Sequence, residues 1–253
     1  MKKPVISVHL WTEHFLGSVR KAEAFLEMIR GMDGGKWIPD KWGQFEPVKN
    51  SFTPESGQQL IHGWTEQRQG RISNSMYFAK KNPSLFLGVT SWRGRVPDLN
   101  YVWCDMAATE FAHAEGIARL KRITANLISW SGAAYATAYQ SGQRHYRSAP
   151  GNPTRRLDQL NWLTFLGAPY LRLIGEEQVR RCPFYSREHV ADGLLLTAAE
   201  RPDSPVMTDT DDVLVGLESC LGGDIFASED YPAIPCRVPD FDLRETVNST
   251  TVH

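Results

Sequence analysis

Three short strand-forming runs between Ser75 and Met106 follow one another with only turns between them, and this spacing limits the fold more than any other feature of the chain. Residues 76–79, 85–91 and 99–106 are rich in apolar and aromatic side chains and are separated by Asn82-Pro83 and by a turn over 94–98. Parallel neighbours need a crossover of a dozen or more residues, whereas a hairpin needs only a few. The segment therefore reads as an antiparallel meander.

Helical periodicity appears on both sides of it. Residues 5–11 alternate as a strand, and Ser18 then caps a helix carrying Val19, Ala22, Phe25, Ile29 and Met32, stopped by Gly34-Gly35. Residues 36–52, with Pro39, Pro47, Gly43, Trp37 and Trp42, read as a long ordered loop or a short strand pair. Thr53-Pro54-Glu55 opens a second helix, and Thr109 is expected to cap a third reaching about Trp130, followed by a strand over 133–139. Leu157, Leu160, Leu163 and Leu166 predict a helix from Thr154 to Gly167, with a short successor from Pro169 to Gly175. A strand region over 190–199 contains an Asp192-Gly193 turn, and Thr208 is expected to cap a last helix with Asp209 and Asp211 in its first turn.

Strands that cluster without regular βαβ alternation predict an α+β protein, an antiparallel or mixed sheet packed with several helices. Residues 1–245 read as one domain, or as two similar lobes meeting near a Gly-, Pro- and Arg-rich loop at 140–156, with 246–253 a frayed tail. A composition of 42% hydrophobic and 23% charged residues excludes a disordered or collagen-like chain, and no apolar run approaches the ~20 residues of a membrane helix. Pro4, His9, Glu13 and His14 interrupt the start where a signal peptide needs an apolar stretch, so a cytoplasmic protein is expected. Cys104, Cys182, Cys220 and Cys236 form no CxxC pair and are expected as reduced thiols.

Motifs that carry chemistry are incomplete. His113-Ala114-Glu115 has the H-x-E spacing of a nucleobase deaminase, but Cys182-Pro183 lacks the accompanying P-C-x-x-C. Asp40, Glu46 and Lys49 carry the residue types of a metal-dependent nuclease, yet two spacers separate Glu46 from Lys49 and one is a proline. Ser131-Gly132 is not a G-x-S-x-G elbow, and neither a P-loop nor H-E-x-x-H occurs. No catalytic constellation, metal site or cofactor is expected. An unrecognised enzyme would need Glu13 or Asp105 to acquire a shifted pKa beside a histidine. A nucleic-acid-binding module would use the basic loop 143–156, where Arg144, Arg147, Arg155 and Arg156 surround Tyr146.

The net charge of -1 conceals a division. Residues 1–187 hold 25 Lys and Arg against 15 Asp and Glu, a balance of +10, while residues 188–253 hold 3 against 14, a balance of -11. Either the acidic segment neutralises the basic one within the fold, or it presents carboxylates to a basic partner.

Several segments resemble the immunity protein 52 family of bacterial polymorphic toxin systems. They are the early amphipathic helix over 17–33, then Pro39, Trp42, Gly43, Glu46 and Pro47, the run from Leu160 to Gly167 with its following Pro-Tyr-Leu, and Asp192-Gly193-Leu194-Leu195-Leu196. The resemblance implies a non-catalytic protein made beside a secreted antibacterial toxin, often a type VI effector with a restriction-endonuclease-like domain, which it binds and silences in the producing cell. It assigns no interface residues. On electrostatic grounds, a basic nuclease cleft would be met by Asp209, Asp211, Asp212, Glu229 and Asp230, with Trp37 and Trp42 as semi-exposed apolar anchors.

Overall fold

The computed structural model describes residues 4–66, 73–92, 98–141, 153–157, 159–204, 212–227 and 235–243. The chain forms two compact units, one of residues 1–133 with 242–253 and one of residues 134–241. The fold is α+β, and every strand pair described below is antiparallel.

In the first unit, β1 (Val5–Thr12) pairs with β6 (Asn100–Ala107), β6 with β5 (Leu85–Trp92), and β5 with β4 (Ser73–Lys80). Beyond β4 lie β2 (Lys41–Gly43) and the two-residue β3 (Asn50–Ser51), so the order is β3-β2-β4-β5-β6-β1. The expected meander is present. The strand pair is the reading of residues 36–52 that the fold adopts.

Three helices cover one side of this sheet. Helix α1 (Val19–Gly31) is capped by Ser18, whose Oγ accepts from the Lys21 N–H at 3.2 Å. It ends where Asp33, Gly34 and Gly35 take positive φ. A turn over Pro54–Ser56, in which the Thr53 N–H donates to Ser56 Oγ at 3.1 Å, leads into α2 (Gly57–Thr65). Helix α3 (Ala114–Ser131) starts four residues later than a Thr109 cap predicts, because Ala108–Phe111 form a separate 3₁₀ turn against which Gly116 packs. Its exit is Gly132, in the left-handed region at φ 66°. Phe25 of α1 meets Phe78 at 4.8 Å, Trp64 at 5.2 Å and Trp130 at 5.1 Å between ring centroids, so the core lies between the helices and the Phe78 side of the sheet.

In the second unit the order is β7 (Tyr135–Gln140), β8 (Leu163–Leu166), β10 (Gly193–Thr197), β9 (Ser186–Val190). The helix expected from Thr154 to Gly167 is not formed, since β8 occupies its end. The Leu spacing of three imitates a helix, but all four residues of β8 are buried, and a strand flanked on both sides reads as a continuous apolar run. Helices α4 (Ala168–Ile174) and α5 (Glu176–Arg181) follow, and α6 (Asp212–Gly222) comes later. The Thr208 cap expected for α6 lies outside the described residues.

The expectation of four reduced thiols is corrected. Cys182, just after α5, is bonded to Cys220 in α6, with 5.6 Å between their Cα atoms. Cys104 and Cys236 take no part in this disulfide. The bonded pair lies 38 positions apart in sequence, so no short motif announces it.

Candidate interaction surface

Alternation along the first unit's strands separates two faces. Met76, Phe78, Leu87, Val89, Val102, Cys104, Val8 and Leu10 are buried on the helix side. Their neighbours in sequence point the opposite way and align across four strands. Register places Tyr77, Gly88, Trp103 and His9 in one row, Ala79, Phe86, Asp105 and Ser7 in the next, and Ser75, Thr90, Tyr101 and Trp11 in a third.

This second face is paved with rings. Tyr77 stacks on Phe86 at 6.2 Å between centroids with 9° between planes, and Phe86 meets Trp103 at 5.1 Å. Tyr101 lies 5.2 Å from Trp11 and 5.8 Å from His9. Gly88 makes the arrangement possible. A Cβ at that position would overlap the Trp103 indole, lying 2.6 Å from its Cε2 and 3.0 Å from its Cζ2, so the ring rests directly over the β5 backbone. Tyr77, Phe86, Trp103 and Asp105 remain half-buried.

Two titratable groups sit among the rings. The Ser7 hydroxyl donates to Asp105 Oδ1 at 2.6 Å. Burial nevertheless raises the Asp105 carboxyl above the usual carboxylate range, with the Ser7 hydroxyl opposing the shift. His9 Nδ1 is hydrogen-bonded to the Tyr101 hydroxyl, and burial lowers the imidazole to about 4, so it is uncharged at neutral pH. Asp105 and His9 stand in adjacent rows, one engaged by Ser7 and the other by Tyr101. On the core side, burial, reinforced by the Asp105 charge, raises the Cys104 thiol well above its ordinary range.

The two tryptophans expected as semi-exposed anchors are in the core. Trp42 belongs to β2, opposite Phe78, and faces the helices beneath Gly63, where a Cβ would lie 3.4 Å from its Cζ3. Trp37 stacks on Phe111 at 5.8 Å with 10° between planes. They are 3% and 0% exposed, and among the described residues neither indole N–H has an acceptor. The short strand and the turn after α1 tuck both rings inward, which their charged neighbours in sequence do not reveal. Asp209, Asp211, Glu229 and Asp230 lie outside the described residues, as does most of the basic loop, of which Arg155 is exposed and Arg156 half-buried. Asp212 is the first residue of α6.

Ion pairs bear on the charge division. Among the described residues, Lys36–Glu110, Lys80–Asp40, Arg119–Asp33, Arg119–Glu115, Arg180–Glu176 and Arg181–Glu177 fall within residues 1–187. Arg201–Asp203 and Arg237–Asp224 fall within residues 188–253. Each of these pairs joins charges of one segment, and the acidic segment spends Arg201 and Arg237 on its own aspartates. Among the described residues no group of three or more His, Cys, Asp or Glu is placed to hold a metal ion, and no helix is long and apolar enough to cross a membrane.

What these features define is an α+β protein with an aromatic sheet face. No protein-family profile matches the chain, and no curated protein matches it. Among solved structures it is similar to the Pseudomonas aeruginosa T6SS protein PA0821, with a TM-score of 0.56 and 12% identity, over 94% of this chain and 79% of that one. At that identity the likeness is one of fold.

Proposed function

We propose that this protein is a non-catalytic immunity protein, which binds a cognate secreted antibacterial toxin of nuclease type and silences it in the producing cell. The observation that carries this reading is the fold shared over 94% of the chain with a T6SS protein. It joins a sequence resemblance that implies the same secretion context. Ring-paved surface and segregated charge suit recognition of a protein more than chemistry on a small molecule. A nuclease attacks nucleic acid in the cytoplasm, and its inhibitor is needed there. The Cys182–Cys220 bond bears directly on that placement, since a reducing cytoplasm holds such a pair as thiols. Thiol trapping in intact cells, read after denaturation, decides it: alkylation of Cys182 and Cys220 along with the other two cysteines, four in all, supports the cytoplasm, and an intact bond moves the site of action to an oxidising compartment.

The main test is co-expression with the toxin encoded beside the gene. Survival of the host, a stoichiometric complex on gel filtration and loss of nuclease activity in the purified complex are the expected results. Unprotected cells at matched expression, with no complex formed, would overturn the reading.

A further inference from the structure

We propose that the ring-paved face of the first unit's sheet is a docking surface for a partner protein, whose arginine or lysine lies across Trp103 and Phe86 with its charge against Asp105. The proposal takes only the partner's identity from the immunity reading.

The argument starts from the carboxylate. Asp105 accepts from Ser7, and among the described residues no lysine or arginine pairs with it. A half-buried carboxylate on a floor of aromatic rings has given up part of its hydration without gaining a counter-ion, and an incoming cation repairs that deficit. The rings add their own attraction, because the faces of Trp and Phe carry negative quadrupole charge. Phe86 stands directly beside Asp105 in its row, and Trp103 precedes it by two residues on the same strand face. Gly88 holds the indole flat, so this part of the site is preformed.

Among the described residues, charges that would compete are neutralised or distant. His9 is neutral at physiological pH. Lys41 shares the Asp105 row through Ala79 and Phe86, but three strand spacings separate them, roughly 14 Å. That exceeds the screening length of about 8 Å at physiological salt. The same carboxylate repels a phosphate backbone, which favours a polypeptide over a nucleic acid. Aromatic side chains with few charges are also what the centres of protein interfaces contain.

Two titrations of the full chain test this. In the first, N-acetyl-arginine amide and its neutral isostere N-acetyl-citrulline amide are added while the Trp103 indole N–H is followed by NMR, assigned with Trp103→Phe. The arginine compound is expected to shift that signal at millimolar concentration, the citrulline compound at least about fivefold more weakly, and Asp105→Asn to abolish the difference. Equal shifts from both compounds, an unchanged response in Asp105→Asn, or no response at Trp103 would overturn the proposal. In the second, the neighbouring toxin is titrated with wild type, Asp105→Asn and Trp103→Ala, each checked for native circular dichroism. At least tenfold weaker binding by both variants is expected. Toxin bound equally by all three overturns the docking face and leaves the immunity reading intact. Toxin bound by none, with the arginine response present, overturns the immunity reading and leaves the face.

Discussion

Replacing glycine by alanine in a helix usually stabilises, and two helices here separate that rule from packing. Gly116 lies in the first turn of α3 and Gly216 within α6. In both places alanine gains up to about 1 kcal/mol of helix propensity. At Gly216 a Cβ meets nothing within 4 Å, so the gain stands. At Gly116 the added carbon would lie 2.7 Å from Glu110 O and 2.7 Å from Phe111 Cα. Both are backbone atoms of the preceding 3₁₀ turn, and no rotamer change can move them. Overpacking of this kind costs about 1–3 kcal/mol, and rigid neighbours place it at the upper end. Gly116→Ala is therefore expected to destabilise by about 2 kcal/mol and Gly216→Ala to stabilise by about 1 kcal/mol. At roughly 2–4 °C per kcal/mol, thermal melts followed by circular dichroism would show Tm falling by about 4–8 °C and rising by about 2–4 °C. A Gly116→Ala protein that melts at or above wild type, or a common direction for both, would refute the close approach of α3 to the turn.

Gly88→Ala also introduces a clash, but with the indole of Trp103, a side chain able to rotate away; stability should change by less than about 1 kcal/mol while partner affinity falls at least tenfold, read by a melt and a binding titration on the same preparation. His9 has a folded pKa near 4 against an ordinary 6.5, so the unfolded chain binds the extra proton first. Its contribution is complete above pH 6.5 and is lost as pH falls to 4, up to about 3 kcal/mol, while the raised Asp105 carboxyl works in the opposite direction. Urea midpoints between pH 7 and 4 should show this slope, and His9→Gln should flatten it. Reducing Cys182–Cys220 opens a loop spanning 38 residues, for which chain entropy gives up to about 4 kcal/mol, so the melt of the second unit should fall on adding dithiothreitol.

What was legible in the sequence followed from local chemistry. Ser18 and Thr53 mark helix starts and Gly34-Gly35 a helix end through bonds and dihedrals that involve only their neighbours, and the β4-β5-β6 meander follows from turns too short for a crossover. What was illegible depends on partners far along the chain. Leu163 and Leu166 carry helical spacing, and only the flanking β7 and β10 make them a strand. Trp42 and Trp37 sit among charges in sequence, yet β2 register and the Phe111 ring place them in the core. The candidate surface was half visible: Asp105 stood out as a carboxylate whose pKa would matter, but its neighbours Phe86 and Ser7 come from other strands, 19 and 98 positions away. Alternation within β6 alone predicts that Tyr101, Trp103 and Asp105 share a face, and that was the available signal.

On the proposed reading the charge division and the aromatic face would make separable contributions to binding, and salt would distinguish them. Residues 188–253 keep a balance of -11 after spending Arg201 and Arg237 on their own aspartates. Net charge acts at a distance, speeding encounter with a basic partner, and its effect is lost as the screening length falls from about 8 Å at physiological salt to about 3 Å at 1 M. Asp105 acts only on contact and in a partly dehydrated setting, where added salt screens little. Raising salt should therefore slow association with the toxin by an order of magnitude or more and alter dissociation little. Joint Asp209→Asn, Asp211→Asn and Asp212→Asn substitution should lower the association rate and flatten its salt dependence. Asp105→Asn should instead speed dissociation at every salt concentration. Stopped-flow association combined with surface-plasmon dissociation resolves the two. An association rate indifferent to salt would remove the steering role of the acidic segment. An Asp105→Asn protein that loses only association rate, with the salt slope of the triple variant, would place Asp105 among the steering charges and away from the contact.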